Sequence, residues 1–187
     1  EGTRLTNLFW RQRFYGGKAT VTAGMLDATD YLNLYSLTSP WTGFMNFAFS
    51  TGSASMFIPN DATTGIAAGV MLSDEVYAIG GVVNAYTDPT EPFDTFNDFF
   101  TEREYFSSIE IGWAPVQQRR FFVKAHITLW HVDESDPAGT PGGWGAAFNY
   151  STVLADGRSS PSHPTSSTSS IPPITPSTTV CGLWVCE

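Results

Sequence analysis

The chain has 187 residues, with 9 Lys+Arg against 18 Asp+Glu for a formal charge of −9, a length that suits one domain or a piece of one. That acidic balance leaves no basic patch to displace counterions from phosphates, which argues against a nucleic-acid partner. Aromatic residues make up 14% of the chain, equal to the charged share of 14%, where about 25% charged is usual, and no run of about 18 apolar residues exists to form a transmembrane helix. A transmembrane β-barrel stays open, because its hydrophobic signal alternates and disappears in an average.

The strongest regularity is a period of two. Near the start, Leu8, Trp10, Gln12 and Phe14 oppose Asn7, Phe9, Arg11 and Arg13. Ala19, Val21, Ala23 and Met25 then oppose Thr20, Thr22 and Gly24, and Ile66, Ala68, Val70 and Leu72 oppose Ala67, Gly69 and Met71. The Gly-rich run Val76 to Tyr86 also reads as a strand, with no assignable parity. Tyr105, Ser107, Ile109, Ile111 and Trp113 share one face of the next strand, against Phe106, Ser108, Glu110 and Gly112. In the sixth, Phe121, Val123, Ala125, Ile127 and Leu129 are apolar, while Lys124, His126 and Thr128 are polar. Trp144, Ala146, Phe148 and Tyr150 oppose Gly145, Ala147, Asn149 and Ser151 in the seventh. Successive side chains of a strand point to opposite faces, so each of these has one oily and one wet side. About seven strands of roughly ten residues are expected, longer than the usual five or six and long enough to cross a bilayer at a tilt.

Connections alternate between short and long. The short ones are Tyr15-Gly16-Gly17, Ser73-Asp74-Glu75, the run Pro115 to Arg120, and Ala155-Asp156-Gly157-Arg158. The long ones run Asp27 to Thr64, Thr87 to Glu104 and Val132 to Gly143. Outer-membrane barrels sort their loops in this way. Tyr105 and Trp113 bracket Ile109 and Ile111, and eight residues at about 3.3 Å with a tilt near 40° rise roughly 20 Å, close to the apolar band between aromatic girdles.

Several stretches resemble the carbohydrate-selective porin (OprB) family: Leu8-Phe9-Trp10-Arg11-Gln12-Arg13-Phe14 with Gly17-Lys18 and Ala23-Gly24-Met25-Leu26-Asp27, the segment Ser39 to Phe49, Glu104-Tyr105-Phe106, Ile109 to Trp113, and Trp130 to Glu134 leading to Gly143-Trp144-Gly145. The resemblance implies an all-β fold, an antiparallel transmembrane β-barrel of which about seven strands of sixteen are present. It also implies passive diffusion of small sugars across the outer membrane of a Gram-negative-type bacterium, with contact to outer-membrane lipid. A homotrimer of the full-length protein is compatible with it. The chain divides into a porin segment over residues 1–158 and a Ser/Thr/Pro-rich tail over 159–187. Ser159 to Thr179 has no Asp, Glu, Lys or Arg, and its prolines block a ladder, so it reads as a disordered or frameshifted end, or as a glycosylated stalk. The sole cysteines, Cys181 and Cys186, are too few for a disulfide framework or a zinc site. Glu1 stands where Met would begin a chain, as in a mature protein or an internal fragment.

Arg11, Arg13, Glu110, Lys124, His126 and Trp130 are the expected pore-lining residues, since charged rings and sugar-stacking aromatics suit a polar lumen. Hydrating a wide channel or pairing across strands would use the same groups equally well. Tyr105, Ile109, Ile111, Trp113, Val123, Ile127 and Phe148 are the expected lipid-facing set. Lys124 on the lipid side would cost about 2–4 kcal/mol at midplane. The acidic, Phe-containing stretch Asp88 to Glu104 lacks the ordered ligands of a calcium loop and reads as a solvated, partly folded extracellular loop. The long segment Asp27 to Thr64 either folds inward or packs on neighbouring loops. No nucleophile elbow, phosphate loop or paired-histidine motif is present, so catalysis, a metal and a cofactor are not expected. The rival reading is a soluble β-sandwich or barrel that binds a ligand inside. It inverts the assignment, with the apolar faces dry and Arg11, Lys124 and His126 outside.

Overall fold

A computed structural model describes residues 7–35, 45–46, 56–88, 90–116, 123–152 and 179–182. They form one antiparallel meander in which every strand pairs with its sequence neighbours. Its strands are β1 (Leu8–Phe14), β2 (Ala19–Leu26), β3 (Thr63–Met71), β4 (Val76–Asn84), β5 (Tyr105–Trp113), β6 (Lys124–Val132), β7 (Gly143–Ser151) and β8 (Thr179–Gly182). A helix, α1 (Pro92–Thr101), stands between β4 and β5. The first seven strands fall where the alternation predicts them, at seven to nine residues each.

Three differences from the sequence reading are local. β6 begins at Lys124, so Val123 precedes the strand, and Phe121 and Phe122 lie outside the described residues. The Asp88 to Glu104 segment holds a full helix. Its signal was Glu91-Pro92, with proline at the first turn where its missing N–H costs nothing, followed by Phe93, Phe96 and Phe100 at helical spacing. The tail contributes β8, which pairs with β7 from Ser151↔Thr179 to Phe148↔Gly182. The expected turn at Ala155 to Arg158, the rest of the tail with His163 and Cys186, the Ser39 to Phe49 stretch apart from Met45 and Asn46, and most of the Pro115 to Arg120 turn lie outside the described residues.

Directly paired residues share a face, so the register carries the face assignment from strand to strand. One row runs Ile79↔Glu110, Glu110↔Thr128 and Thr128↔Ala147. The next runs Tyr77↔Gly112, Gly112↔His126 and His126↔Asn149. This settles β4, whose glycines hid its parity: Tyr77, Ile79, Gly81 and Val83 lie on the Glu110 face. The opposite face carries Ile66, Val70, Ile109, Ile111, Trp113, Ile127, Leu129, Trp144 and Phe148, all exposed.

Burial is therefore inverted relative to an ordinary soluble sheet. Glu110 is 1% and Lys124 5% exposed, whereas Ile109 is 50% and Phe148 45% exposed. The rival apolar-in arrangement is not the one this chain adopts. What covers the Glu110 face is the β2–β3 connection. Its residues Ala28, Leu32 and Met56 pack with Ala67, Val83, Phe106 and Val132 in a single apolar cluster. The wet side of the strands is thus wet only in part, since toward the long connections it turns apolar and forms the core.

Two glycines permit the close packing of large rings on this face. A Cβ on Gly112 would overlap the ring of Tyr77, and one on Gly145 would come within 2.7 Å of Cζ2 of Trp130. Gly112→Val should displace the Tyr77 ring and lower the unfolding free energy by about 1–3 kcal/mol, as overpacking does. A urea titration of the detergent-folded protein checks this, and an unchanged midpoint would contradict the packing described.

Candidate functional site

Four described elements converge on the carboxylate of Glu110. β5 places it on the covered face, β6 brings Lys124, His126 and Thr128 beside it, β4 brings Tyr77, and the turn after β2 brings Asn33. The Asn33 backbone N–H donates to Oε2 at 2.7 Å, and the Thr128 hydroxyl donates to the same oxygen at 2.8 Å. The Tyr77 hydroxyl donates to Oε1 at 2.7 Å. Lys124 Nζ stands 4.0 Å from Oε1, and His126 Nε2 3.9 Å from Oε2. Asn33 Oδ1 lies 2.9 Å from His126 Nε2, so the same loop residue bonds both partners of the pair.

A buried carboxylate is costly unless its oxygens are hydrogen-bonded and a cation stands near. Here three donors and the Lys124 ammonium meet that need. The ammonium also lies 5.3 Å from the Tyr77 ring centre, over its face, where the ring quadrupole attracts a cation. The turn that delivers Asn33 is itself fixed locally. Asp27 Oδ1 accepts from the Thr29 N–H at 2.9 Å and from the Thr29 hydroxyl at 2.6 Å, a side-chain turn that competes well with extended backbone. Asp30, next in this turn, has its carboxyl raised above the usual range by burial and then by Asp27, with Arg11 acting in the opposite sense. Burial, with Asp27, likewise raises the Tyr31 phenol.

Beside this cluster an open cavity of about 460 Å³ lies between the turn and the sheet. Arg11, Lys18 and Lys124 contribute positive charge to its lining, and Asp30 and Glu110 negative charge. Such a wall, with both signs of charge and several hydroxyls, presents hydrogen-bond donors and acceptors to a polar solute.

The expected pore-lining residues are distributed unevenly. Glu110, Lys124 and His126 are brought together and buried. Arg11 is exposed on β1, donating from Nε to the Thr22 hydroxyl at 3.2 Å and lying 4.9 Å above the Phe9 ring. Arg13 is exposed two residues on, at the end of β1 that leads into the Tyr15–Gly17 turn. Trp130 is half-buried on the same face against the apolar cluster, with its ring over Gly145. Of the outward set, Ile109, Ile111, Trp113, Ile127 and Phe148 are exposed together on the other face, with Trp113 Nε1 donating to Glu75 in the β3–β4 turn at 3.0 Å. Tyr105 is half-buried, its hydroxyl donating to the Phe99 carbonyl at 2.6 Å. Val123 is half-buried ahead of β6. Sequence reasoning did not single out Asn33, Tyr77 or Thr128. Thr128 lay on the polar parity of β6, whereas nothing local marks Asn33.

A model of the family described as "Carbohydrate-selective porin, OprB family" matches residues 1–173. The chain belongs to the OprB family. The match runs past Arg158 into the Ser/Thr/Pro-rich segment. Membership and the uninterrupted antiparallel meander make the fold all-β and part of a transmembrane β-barrel, with no described helix long and apolar enough to cross a membrane. The high-pH structure of Pseudomonas putida OprB is similar at 13% identity and a TM-score of 0.49, over 78% of this chain and 39% of that one. The OprB-family chain described here thus spans less than half the length of that porin. Comparison with curated proteins gives no match.

The Glu110 cluster predicts a graded mutant pair. Glu110→Ala removes the acceptor of three hydrogen bonds and the carboxylate beside the buried Lys124 and should cost about 3 kcal/mol, whereas Glu110→Gln should cost less because it keeps an acceptor. The Asn33 amide should exchange with deuterium faster in both, most in the alanine variant. Unchanged exchange would mean that the turn is held by something other than this carboxylate.

Proposed function

We propose that this chain is part of the wall of an outer-membrane channel through which small carbohydrates diffuse down their gradient. The observation that carries the proposal is the inversion of burial in a member of this family. An exposed band of Ile109, Ile111, Ile127 and Phe148 suits hydrocarbon, and a polar face of Glu110, Lys124 and His126 suits a water-filled lumen. Backbone geometry supports it too, since a sheet in lipid must satisfy its N–H and C=O groups between strands.

In this reading Arg11, Arg13, Glu110, Lys124, His126 and Trp130 face the lumen, and Tyr105, Ile109, Ile111, Trp113, Val123, Ile127 and Phe148 face lipid. The β2–β3 turn narrows the passage from inside. Arg11, Lys18 and Asp30 replace part of a sugar's hydration, while the open cavity keeps that contact weak enough for release. Trp113, bonded to Glu75, marks one water boundary.

Two measurements test this. The full-length protein in liposomes should permit swelling in isotonic sugar at a rate well above that of protein-free vesicles, and absence of swelling would refute the transport claim. Ile127→Lys should reduce folding into bilayers by about 2–4 kcal/mol, whereas Thr20→Lys on the cavity side should be tolerated. Equal effects would reverse or abolish the assignment of faces.

A further inference from the structure

Of the three long connections, those after β2 and after β4 leave the sheet on opposite sides. The β2–β3 connection covers the Glu110 face. Helix α1 covers the other one, as three contacts establish. Asn84 lies on the Ile109 face, because Asn84 pairs with Tyr105 in the register that pairs Gly80 with Ile109. Its Nδ2 donates to the Thr95 carbonyl of α1 at 3.0 Å. Tyr105, on the same face, donates to the Phe99 carbonyl and sets its ring tilted against that of Phe99, with 5.1 Å between centroids. The helix packs against β3 and β4, and Thr64, Asn84 and Met25, in one cross-strand row, are all buried there. Below that row the same face is exposed and apolar, from Ile66 to Ile109.

At about 100° per residue, α1 has three flanks. Thr95 and Phe99 turn to the protein, and Thr95 also shares a hydrogen bond of 2.9 Å with the Thr87 hydroxyl. Asp94, Asp98 and Thr101 make a polar flank. Between them Phe93, Phe96 and Phe100 make an apolar flank, on which Phe93 is 86% and Phe100 71% exposed. Phe100 meets Phe99 edge-on at 5.3 Å, so the exposed flank continues the aromatic contact that begins at Tyr105.

We infer that α1 is an interfacial helix on the outside of the barrel wall, seated with Phe93 and Phe100 at the boundary between lipid headgroups and acyl chains. The inference rests on the proposed membrane reading and adds a lipid-surface site to it. Three features select lipid as the occupant. The helix stands on the lipid-facing side and not over the lumen. It sits at the end of the apolar band, where the wall changes from Ile66 and Ile109 to Thr64 and Asn84. Its exposed flank is continuous with that band through Phe99 and Tyr105. Aromatic rings favour this depth, and an amphipathic helix with one apolar flank lies in that plane. The polar flank has no basic residue and carries the carboxylates of Asp94 and Asp98, so the seat rests on apolar burial and gains nothing from anionic headgroups.

Spin labels test the placement on the full-length protein in phosphatidylethanolamine–phosphatidylglycerol vesicles, with Cys181 and Cys186 replaced by serine. Labels are introduced through Phe93→Cys, Phe100→Cys, Asp98→Cys and, as the wall control, Ile109→Cys. The Ile109 label should be accessible to oxygen and closed to a water-soluble nickel chelate. Labels at Phe93 and Phe100 should be several-fold less accessible to the chelate than the label at Asp98. Equal chelate access at Phe93, Phe100 and Asp98, with the Ile109 label still in hydrocarbon, would overturn the inference and leave the wall reading intact. Chelate access at Ile109 would sink both. Dipolar broadening between Phe93 labels that disappears on dilution with unlabelled protein would identify a second copy, not lipid, as the cover, and would also overturn it.

Discussion

Within three consecutive residues of β5, Ile109, Glu110 and Ile111, the chain asks for two incompatible surroundings. The backbone period of two sends the isoleucines to one side and the carboxylate to the other. Hydrogen-bonded register then extends that division across the sheet, from Thr22↔Ala67 through Ile79↔Glu110 to His126↔Asn149. A single aqueous phase cannot satisfy both sides, because the exposed side is apolar over most of seven strands while the covered side holds ions. A wall between hydrocarbon and water satisfies both, and family membership agrees with that solution.

The long connections complete what the strands begin, each according to its composition. The β2–β3 connection offers Asn33, with a free N–H and an amide oxygen, to a face that contains a carboxylate and an imidazole, and offers Leu32 and Met56 to Phe106 and Val132. The β4–β5 connection offers four phenylalanines and goes to the other side. The packing is specific at the atomic level. Glycines at 112 and 145 vacate the space that the rings of Tyr77 and Trp130 occupy, so the polar cluster and the apolar cluster each rest on a residue with no side chain.

Charge placement under the proposed reading follows the same economy. Glu110 spends its lone pairs on Asn33, Tyr77 and Thr128, which fixes the inward turn, and keeps Lys124 near without a short ion pair. The groups that remain open toward the cavity, Arg11 and Lys18 beside Asp30, are those on the wall and turn away from this knot. Structure-holding and solute-contacting polar groups are thereby separated along one face, although both belong to the same alternation.

Strand order, approximate strand ends and the oily side of β3, β5, β6 and β7 were legible in the sequence, because alternation is a local property that tertiary packing did not override. The parity of β4 was not, since Gly80 and Gly81 remove the contrast on which alternation depends, and only pairing with β3 and β5 supplied it. The helix was marked by Pro92 and the spacing of Phe93, Phe96 and Phe100, yet its acidic residues suggested a solvated loop. Which face each long connection would cover was invisible, as was the meeting of Asn33 with Glu110 across 77 positions of chain. A sequence determines which side chains share a face, because that is set by bond geometry over two residues. It does not determine which distant segment covers that face, because that depends on register, on ring-sized gaps over glycine and on buried hydrogen bonds that exist only once the sheet has formed.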